Sequence, residues 1–282
     1  MNKIRRVGFV IKPHAPGVGD ILGDLVGFLK ERGVACVLEA AAAAKLGARG
    51  GVSREKLPLR VDLVVVLGGD GTLLSVARAA AVAGVPVMGV NLGRLGFLTE
   101  VPVGEARRTL EALLAGEDER VGTRRFLEAR LGRAVHHCLN DVVINKSALA
   151  RMIQIAIRID GREVAVLKAD GVIVSTPTGS TAYSLSAGGP IVQPHVPALI
   201  LSPICPHTLT FRPMVVASDS VIGLRLLTDG EEVYMSLDGQ RGAPLKEGDE
   251  VTIRTSPLEL KLVSSPARGY FDVVKEKLGW AE

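Results

Sequence analysis

Residues 61–72 read VDLVVVLGGDGT, and this stretch decides the fold of the chain. Six of its first seven residues are apolar and four are valine, which is typical of a strand buried on both faces of a sheet. The strand is predicted to run directly into a glycine turn at residues 68–72, followed by an Ala-rich helix from residue 73 to about residue 83. A buried strand, a glycine turn and a helix together place backbone N–H groups where a ligand phosphate can bind.

Asp70 is the unusual residue of this turn, because a carboxylate beside a phosphate is repelled unless it has a task. The turn is not a GxGxxG dinucleotide loop, which would need glycine in place of Leu74, and no GK[ST] of a Walker A loop occurs in the chain. Asp70 could hold Mg²⁺, or it could accept a proton from a hydroxyl that attacks a phosphoryl group. The alternative is an ordinary strand-to-helix turn in which Asp70 caps the helix.

Composition predicts a globular protein whose core is built from aliphatic residues. The chain has 282 residues, of which 47% are hydrophobic, 23% charged and only 4% aromatic. Its net charge of +4 is spread along the chain without a basic stripe, so nucleic acid is not expected as a partner. No apolar run approaches the ~18 residues of a membrane-spanning helix. Three widely spaced cysteines argue against zinc or disulfides and favour the cytoplasm.

The part of the chain up to about residue 124 alternates strands with helices. That alternation predicts a Rossmann-like α/β domain with a parallel sheet covered on both sides. Residues 40–51 are predicted to be a short helix that frays into a loop, and residues 91–96 a second glycine loop. The remaining predicted elements are strands at 7–11, 34–38 and 85–90, and helices at 20–32 and 103–114.

The pattern changes near residue 123, and residues 125–264 are predicted to form an all-β, sandwich-like domain. Residues 152–160 alternate apolar and polar side chains, and Asp160-Gly161 predicts a hairpin turn. A second such turn is predicted at Asp229-Gly230, and short strands at 251–255 and 258–263. Residues 270–280 return to helical spacing, so residues 265–282 are expected to complete the first domain.

Two further stretches carry groups suited to a polar ligand. Asn140 and Asp141 offer acceptors and an amide donor for the paired hydroxyls of a ribose, although taken in isolation the pair is better explained as a turn or bulge between strands. Residues 170–190 are rich in Ser, Thr and Gly around a single aromatic, Tyr183, which could pack on a base. These residues are predicted to form a loop around the ligand, the alternative being a flexible surface loop.

These motifs together resemble those of the NAD kinase family. The resemblance is carried by GGDGT at 68–72, NLGRLGFLTE at 91–100, Asn140-Asp141, residues 170–192, TLTFRP at 208–213, LDGQ at 237–240 and KLGW at 277–280. GGDGT alone is shared with lipid kinases and, loosely, with phosphofructokinases. The combination with STPTGSTAYSLSAGGP is far more specific. Residues 40–56 match nothing in the family pattern.

The resemblance implies phosphoryl transfer from ATP, or polyphosphate in some members, to the adenosine ribose 2′-hydroxyl of NAD, at a site between the two domains. It implies Asp70 as general base and a divalent metal, most commonly Mg²⁺, bound with the nucleotide. It also implies a homodimer or homotetramer. The substrate-contacting residues carried over are Gly71, Asn140, Asp141, Arg151, Lys168, Asp170, Thr181, Ala182, Tyr183, Ser184, Ser186 and Gln240, with Gly68, Gly69 and Thr72 in the phosphate loop; none is assigned to a metal.

Two alternatives stay open at this point. One is a lipid or sugar kinase that shares the GGDGT turn, although the low aromatic content argues against a lipid substrate. The other is a dinucleotide-sensing module that binds NAD and transfers nothing. Such a sensor would have no need of a carboxylate at the phosphate turn.

Overall fold

The computed structural model describes residues 3–93, 95–117, 121–147, 150–265 and 267–280. Arg94, in the second glycine loop, lies outside these ranges. The chain divides into two compact units, one formed by residues 1–123 with 259–282 and the other by residues 124–258. The boundaries expected from the sequence fall after residues 124 and 264.

The first unit alternates strands and helices. Its elements are β1 (Arg6–Ile11), α1 (Val18–Glu31), β2 (Ala35–Leu38), α2 (Ala40–Lys45), β3 (Leu63–Gly68), α3 (Asp70–Ala83), β4 (Val87–Asn91), β5 (Val101–Pro102) and α4 (Ala106–Leu114). Strands β2, β1, β3 and β4 lie side by side in that order and pair in parallel. The predicted α/β class is confirmed.

Strand β3 occupies an interior position in this sheet, and all six of its residues are buried. A strand with neighbours on both edges and cover on both faces can be aliphatic throughout, which explains the LVVVLG sequence. Helix α1 contributes Leu22, Leu25 and Leu29 to the same core as Leu63, Val65 and Leu67 of β3. The buried strand therefore fixes the position of its last residue, Gly68, and of the helix start that follows it.

Two helices of this unit differ from the prediction. The helix expected at 103–114 is a 3₁₀ turn, Val103–Glu105, followed by α4. Helix α3 begins at Asp70 rather than at residue 73, with Gly69 as its N-cap. The last three residues of GGDGT are therefore helical, Gly68 ends the strand, and Gly69 alone connects the two.

The second unit consists almost entirely of strands. They are β6 (Val121–Leu131), β7 (Ala134–Cys138), β8 (Asp141–Lys146), β9 (Ile153–Ile159), β10 (Arg162–Ala169), β11 (Gly171–Ser175), then, after the short helix α5 (Tyr183–Ser186), β12 (Ala198–Ile204), β13 (Met214–Ala217), β14 (Ile222–Leu226), β15 (Val233–Leu237), β16 (Arg241–Leu245) and β17 (Glu250–Val263).

The strands of this unit form two layers with one apolar core. An antiparallel sheet has the order β13-β12-β11-β8-β15-β16, and β10, β9, β14 and the first part of β17 form a second antiparallel set. Alternate residues of both sets, such as Val142 and Ile144 of β8 and Ile155 and Ile157 of β9, belong to one buried cluster. This packing confirms the predicted sandwich-like architecture.

One of the two predicted hairpins is wrong. Asp160 and Gly161 adopt φ of 52° and 77° and join the paired strands β9 and β10, as a two-residue turn requires. Asp229-Gly230 instead connects β14 to β15, which belong to different sheets. The Asp-Gly pair favours a turn but does not determine which strands pair.

Three further predictions for the second unit need correction. The separate strands expected at 251–255 and 258–263 are one strand, β17. Residues 170–190 are not a loop throughout, because they contain β11, a 3₁₀ turn at Thr178–Thr181 and α5. Strand β12 has no counterpart among the predicted elements, and it contains Pro203. Pro203 is tolerated since β13 pairs only with residues 198–201, which leaves one side of β12 without a neighbour there.

The end of the chain belongs to the first unit. The last two residues of β17, Leu262 and Val263, pair in parallel with Val87 and Met88 of β4. The final helix, α6 (Tyr270–Leu278), brings the Lys277 ammonium to 5.9 Å from the centre of the Phe97 ring. Among the described residues, no helix combines the length and apolar character that crossing a membrane requires.

Candidate active site

The glycine turn after β3 is shaped by close packing on one side and open space on the other. An added Cβ at Gly68 would lie 2.7 Å from Thr72 Oγ1, so only glycine lets α3 approach the strand this closely. An added Cβ at Gly69 or Gly71 would meet no heavy atom within 4 Å. The N-terminus of a 14-residue helix therefore faces a space that a ligand phosphate could fill.

The Asp70 carboxylate is held by the second glycine loop. Its Oδ2 accepts a hydrogen bond from the backbone N–H of Phe97 at 2.9 Å. Its Oδ1 accepts three, from the N–H of Leu98 at 3.1 Å, the N–H of Thr99 at 3.0 Å and the Thr99 hydroxyl at 2.9 Å. Three successive N–H groups thus form an anion-binding nest around the carboxylate.

The geometry of Asp70 excludes its simpler interpretation as a helix cap. Asp70 is the first residue of α3, and the cap position, Gly69, has no side chain to accept a hydrogen bond. A carboxylate has about four acceptor positions. Three donors converge on Oδ1 and one on Oδ2. Oδ2 therefore retains the capacity to accept one further hydrogen bond.

Gly96 provides the room that this arrangement needs. An added Cβ at Gly96 would overlap Asp70 Oδ1 and Thr99 Oγ1. The φ of Gly96 is not in the left-handed region, so space rather than backbone conformation explains the glycine. Gly96 and Thr99 belong to the NLGRLGFLTE motif but received no individual role from the sequence.

In the second unit, the Asp238 carboxylate orders the segment that carries Asn140 and Asp141. Asp238 accepts hydrogen bonds from the backbone N–H groups of Leu139 at 2.9 Å, Asn140 at 2.7 Å and Asp141 at 3.2 Å. Asp238 itself lies in the three-residue connection between β15 and β16, with φ of 51°. The LDGQ motif thus supplies a residue that fixes the Asn-Asp pair, a role the sequence did not reveal.

Two buried carboxyl groups meet at this point. Burial, and secondarily the charge of Asp238, raises the pKa of Asp141 to about 7. Burial also raises the pKa of Asp238, although its three backbone donors act in the opposite direction. Asp141 therefore changes charge near neutral pH, where it can donate a proton as an acid or accept hydrogen bonds as a carboxylate.

The raised pKa of Asp141 predicts a pH-dependent stability. The unfolded chain, with the pKa of this carboxyl near 3.8, releases the proton earlier than the folded chain does. Stability contributed by this group is therefore lost as pH rises from about 4 to about 7. Asp141→Asn should raise the free energy of unfolding at pH 8 by on the order of 2 kcal/mol, with no gain at pH 4. Denaturant unfolding at both pH values measures this difference; an equal effect at both would contradict the assignment.

The Ser175 hydroxyl adds an unused donor beside Asp141. Ser175 of β11 is the register partner of Asp141 in β8, so the two side chains share one face of the sheet. Within the part of the chain that the structure describes, the fully buried Ser175 Oγ has no hydrogen-bond partner.

The hydroxyls of the 170–190 stretch serve mainly to fold it. Thr176 Oγ1 donates to the Leu139 carbonyl at 2.7 Å and accepts from the Gly179 N–H at 3.0 Å. Ser180 Oγ donates to the Pro177 carbonyl at 2.6 Å and accepts from the Val192 N–H at 3.0 Å. The hydroxyls of Thr176 and Ser180 are therefore satisfied within the fold, whereas that of Ser175 is not.

This folded stretch packs directly against Asn140. The Thr176 N–H donates to the Asn140 carbonyl at 2.9 Å, and an added Cβ at Gly179 would overlap the same carbonyl. Thr181 and Ala182 are half-buried, whereas Tyr183 is 44% exposed and Ser186 is exposed. The structure therefore brings Asn140 and Asp141 together with residues 176–179, which lead into the predicted contact residues 181–186.

Both halves of the chain match known families. A model described as the ATP-NAD kinase N-terminal domain matches residues 7–118, and one described as the ATP-NAD kinase C-terminal domain matches residues 139–265. An NAD kinase of Geobacter metallireducens is 45% identical over 284 residues, covering 99% of this chain and 100% of the relative. The chain belongs to the NAD kinase family.

Other NAD kinases agree in sequence and in fold. That of Solibacter usitatus is 44% identical over the full length of both chains. The crystal structure of yeast NADH kinase complexed with NADH superimposes with a TM-score of 0.91 at 28% identity, covering 99% of this chain and 89% of that one. An NAD kinase from Archaeoglobus fulgidus in complex with ATP gives 0.77 at 28% identity, covering 96% and 99%.

Among the predicted contact residues, Ser184 has a fully buried side chain that is already hydrogen-bonded. It is fully buried, and its Oγ lies 2.9 Å from Ser202 Oγ within hydrogen-bonding distance. Ser184→Ala should leave the KM for NAD within about twofold and cost about 1 kcal/mol of stability, because it removes one buried hydrogen bond. Initial rates and denaturant unfolding measure these quantities. A tenfold rise in the KM for NAD without loss of stability would instead show that the Ser184 hydroxyl contacts the ligand.

The remaining predicted contact residues lie at the surface of the second unit. Asp170 is half-exposed and its Oδ1 lies 3.6 Å from the Lys146 ammonium, an ion pair that the sequence did not predict. Arg151, Lys168 and Gln240 are exposed. Their predicted contacts with the dinucleotide stay predictions.

Candidate metal ligands are not clustered in the part of the chain that the structure describes. Among the residues that the structure describes, no three His, Cys, Asp or Glu side chains are grouped to hold a metal. The Asp70 carboxylate is already engaged by four donors.

Proposed function

We propose that the protein transfers the γ-phosphoryl group of ATP to the 2′-hydroxyl of the adenosine ribose of NAD, giving NADP and ADP. The observation that carries this proposal is the Asp70 carboxylate. It is fixed at the N-terminus of α3 by four hydrogen bonds in a chain that belongs to the NAD kinase family, and Oδ2 still has an acceptor position.

In the proposed reaction Asp70 acts as the general base. The 2′-hydroxyl donates its proton to Asp70 Oδ2, the hydroxyl oxygen bonds to the γ-phosphorus, and the bond between that phosphorus and the β–γ bridging oxygen breaks to release ADP. A ribose hydroxyl ionises far above neutral pH, so a positioned carboxylate accelerates its attack by about 10²–10⁴-fold. The nest of residues 97–99 holds the carboxylate in place throughout.

Groups of the second unit recognise the acceptor. Asn140 and Asp141 offer an amide and a carboxyl group to the ribose hydroxyls, on a backbone fixed by Asp238. The exposed ring of Tyr183 is available to stack on the adenine. The same segment contributes Thr181, Ala182 and Ser186 to the proposed acceptor site. The buried Ser184 side chain holds the segment in place through Ser202.

In this proposal the phosphate donor is bound by backbone N–H groups rather than by charged side chains. The open space at Gly69 and Gly71 and the N-terminus of α3 suit the triphosphate, or polyphosphate as an alternative donor. A divalent ion, Mg²⁺ in our proposal, enters with the nucleotide and offsets the charge of the phosphates beside Asp70.

The proposal includes a cytoplasmic homodimer or homotetramer. All three cysteines are free, which suits a reducing compartment. The edge strand β10 exposes Val164 and Val166, an apolar edge of the kind that association between copies covers.

One assay tests the proposed function. NADP or NADPH formation is followed with ATP or polyphosphate as donor, NAD or NADH as acceptor, and Mg²⁺ present or removed by chelation. We expect NADP from ATP, NAD and Mg²⁺, with loss of activity on chelation. The NADH arm is needed because yeast NADH kinase is among the most similar folds. NAD binding by calorimetry without NADP formation would instead support a dinucleotide sensor.

A further inference from the structure

The segment after β2 matches no family motif, yet it reaches the phosphate turn. Residue Val52 pairs with the end of β2: the Val52 N–H donates to the Leu38 carbonyl at 2.9 Å, and the Ala40 N–H donates to the Val52 carbonyl at 3.0 Å. Two residues later Arg54 projects from this anchored backbone, 30% exposed.

A buried carboxylate fixes the Arg54 guanidinium. Glu39, with 4% of its side chain exposed, accepts hydrogen bonds from Arg54 Nε at 2.5 Å and Nη2 at 3.1 Å. Its Oε1 also accepts from the Ile11 N–H, at the end of β1, at 2.6 Å. Since a buried charge needs full pairing, this two-point contact fixes the plane of the guanidinium.

The remaining bonds of Arg54 lead to the start of α3. Nη2 donates to the Ile11 carbonyl at 2.9 Å, and Nη1 donates to Ser75 Oγ at 2.9 Å. Ser75 Oγ in turn donates to the carbonyl of Thr72, the last residue of GGDGT, at 2.6 Å. One guanidinium thus ties the end of β1 to the first turn of the helix that carries Asp70.

We infer that Arg54 is a positioning residue for phosphoryl transfer: together with Glu39 and Ser75 it fixes the first turn of α3, and with it Asp70. The inference rests on the proposed function. The same helix end receives the triphosphate and bears the base, so a small rotation of the turn misaligns both reacting groups. A misplacement of about 1 Å can cost about 10²-fold in rate.

Ser75→Ala provides the most specific test, because it cuts the link to Thr72 and leaves the Glu39–Arg54–Ile11 contacts intact. In the full-length protein we expect kcat to fall about tenfold, the KM for ATP and for NAD to stay within about twofold, and the Tm to stay nearly unchanged. Arg54→Met should lower kcat further, by up to about 10²-fold. Arg54→Lys should not restore it, because a single ammonium cannot bridge Glu39 and Ser75.

Arg49→Met is the matched control, since Arg49 is exposed in the same segment. It should keep wild-type kcat and Tm. Wild-type kcat in Ser75→Ala would overturn the inference, as would a rise in the KM for ATP with kcat unchanged, which indicates direct phosphate contact. A loss of kcat explained wholly by a fall in Tm would overturn it too. Failure of the wild-type protein to form NADP would instead reject the proposed function.

Discussion

Asp70→Asn is expected to lower kcat by about 10²–10⁴-fold while leaving NAD binding nearly intact. Asparagine keeps a carbonyl oxygen at the Oδ1 position, where the donors of Leu98 and Thr99 converge. Only the Oδ2 position changes, from an acceptor to an amide that cannot take a proton from the ribose hydroxyl. The variant therefore removes the base and retains the three hydrogen bonds to the Oδ1 position.

The stability cost of Asp70→Asn should be small. One hydrogen bond, from the Phe97 N–H, is replaced by two facing donors, which costs on the order of 1 kcal/mol. The experiment pairs steady-state kinetics with calorimetric titration of NAD and a thermal melt. Full activity in a folded variant would exclude Asp70 as the base, and a parallel loss of NAD affinity would show that it binds the acceptor instead.

Gly96→Ala should have the second-largest effect, although Gly96 contacts no substrate in the proposed reaction. The new Cβ would overlap Asp70 Oδ1 and Thr99 Oγ1, so the carboxylate and the loop must separate. We expect kcat to fall by about 10²-fold, since the base moves by roughly the 1 Å that such an effect needs. The KM for NAD should change little, because the acceptor contacts we propose lie in the other unit.

Gly93→Ala provides a close control for this variant. Gly93 lies in the same loop, does not have a left-handed φ, and an added Cβ there meets no heavy atom within 4 Å. It should retain wild-type kcat and Tm. Equal losses in both variants would mean that the loop tolerates no alanine for general reasons, and that the position of the Asp70 carboxylate is not the cause.

The fold was predictable from local patterns. The aliphatic run of β3 indicates a strand buried on both faces, and the alternating residues of β9 indicate one buried on a single face. The alternation of strands with helices indicates a parallel sheet. Strand pairing was less accessible, because Asp229-Gly230 has the composition of a hairpin turn but joins strands of different sheets. Which strands pair depends on how the two sheets pack around the core, and a short stretch of sequence does not contain that information.

The sequence singled out candidate residues for the site but not the interactions that hold them. Asp70, Asn140 and Asp141 carry the expected chemical groups, and their motifs are contiguous. Their partners are distant in sequence: Thr99 lies 29 residues from Asp70, and Asp238 lies 97 residues from Asp141. The Ser- and Thr-rich stretch is ambiguous for a related reason, since a hydroxyl that folds a turn looks the same in sequence as one that binds a ligand.

The return of β17 to β4 has a consequence for how the protein is made. The α/β unit receives the strand that pairs with Val87 and Met88, and the helix that places Lys277 over Phe97, from residues that are translated after the whole strand-rich unit. The strand-rich unit is encoded without interruption between these pieces and is free to fold while synthesis continues. The turn that bears Asp70 is therefore translated before the strand-rich unit, but the unit around it is completed only by residues that are translated after that unit.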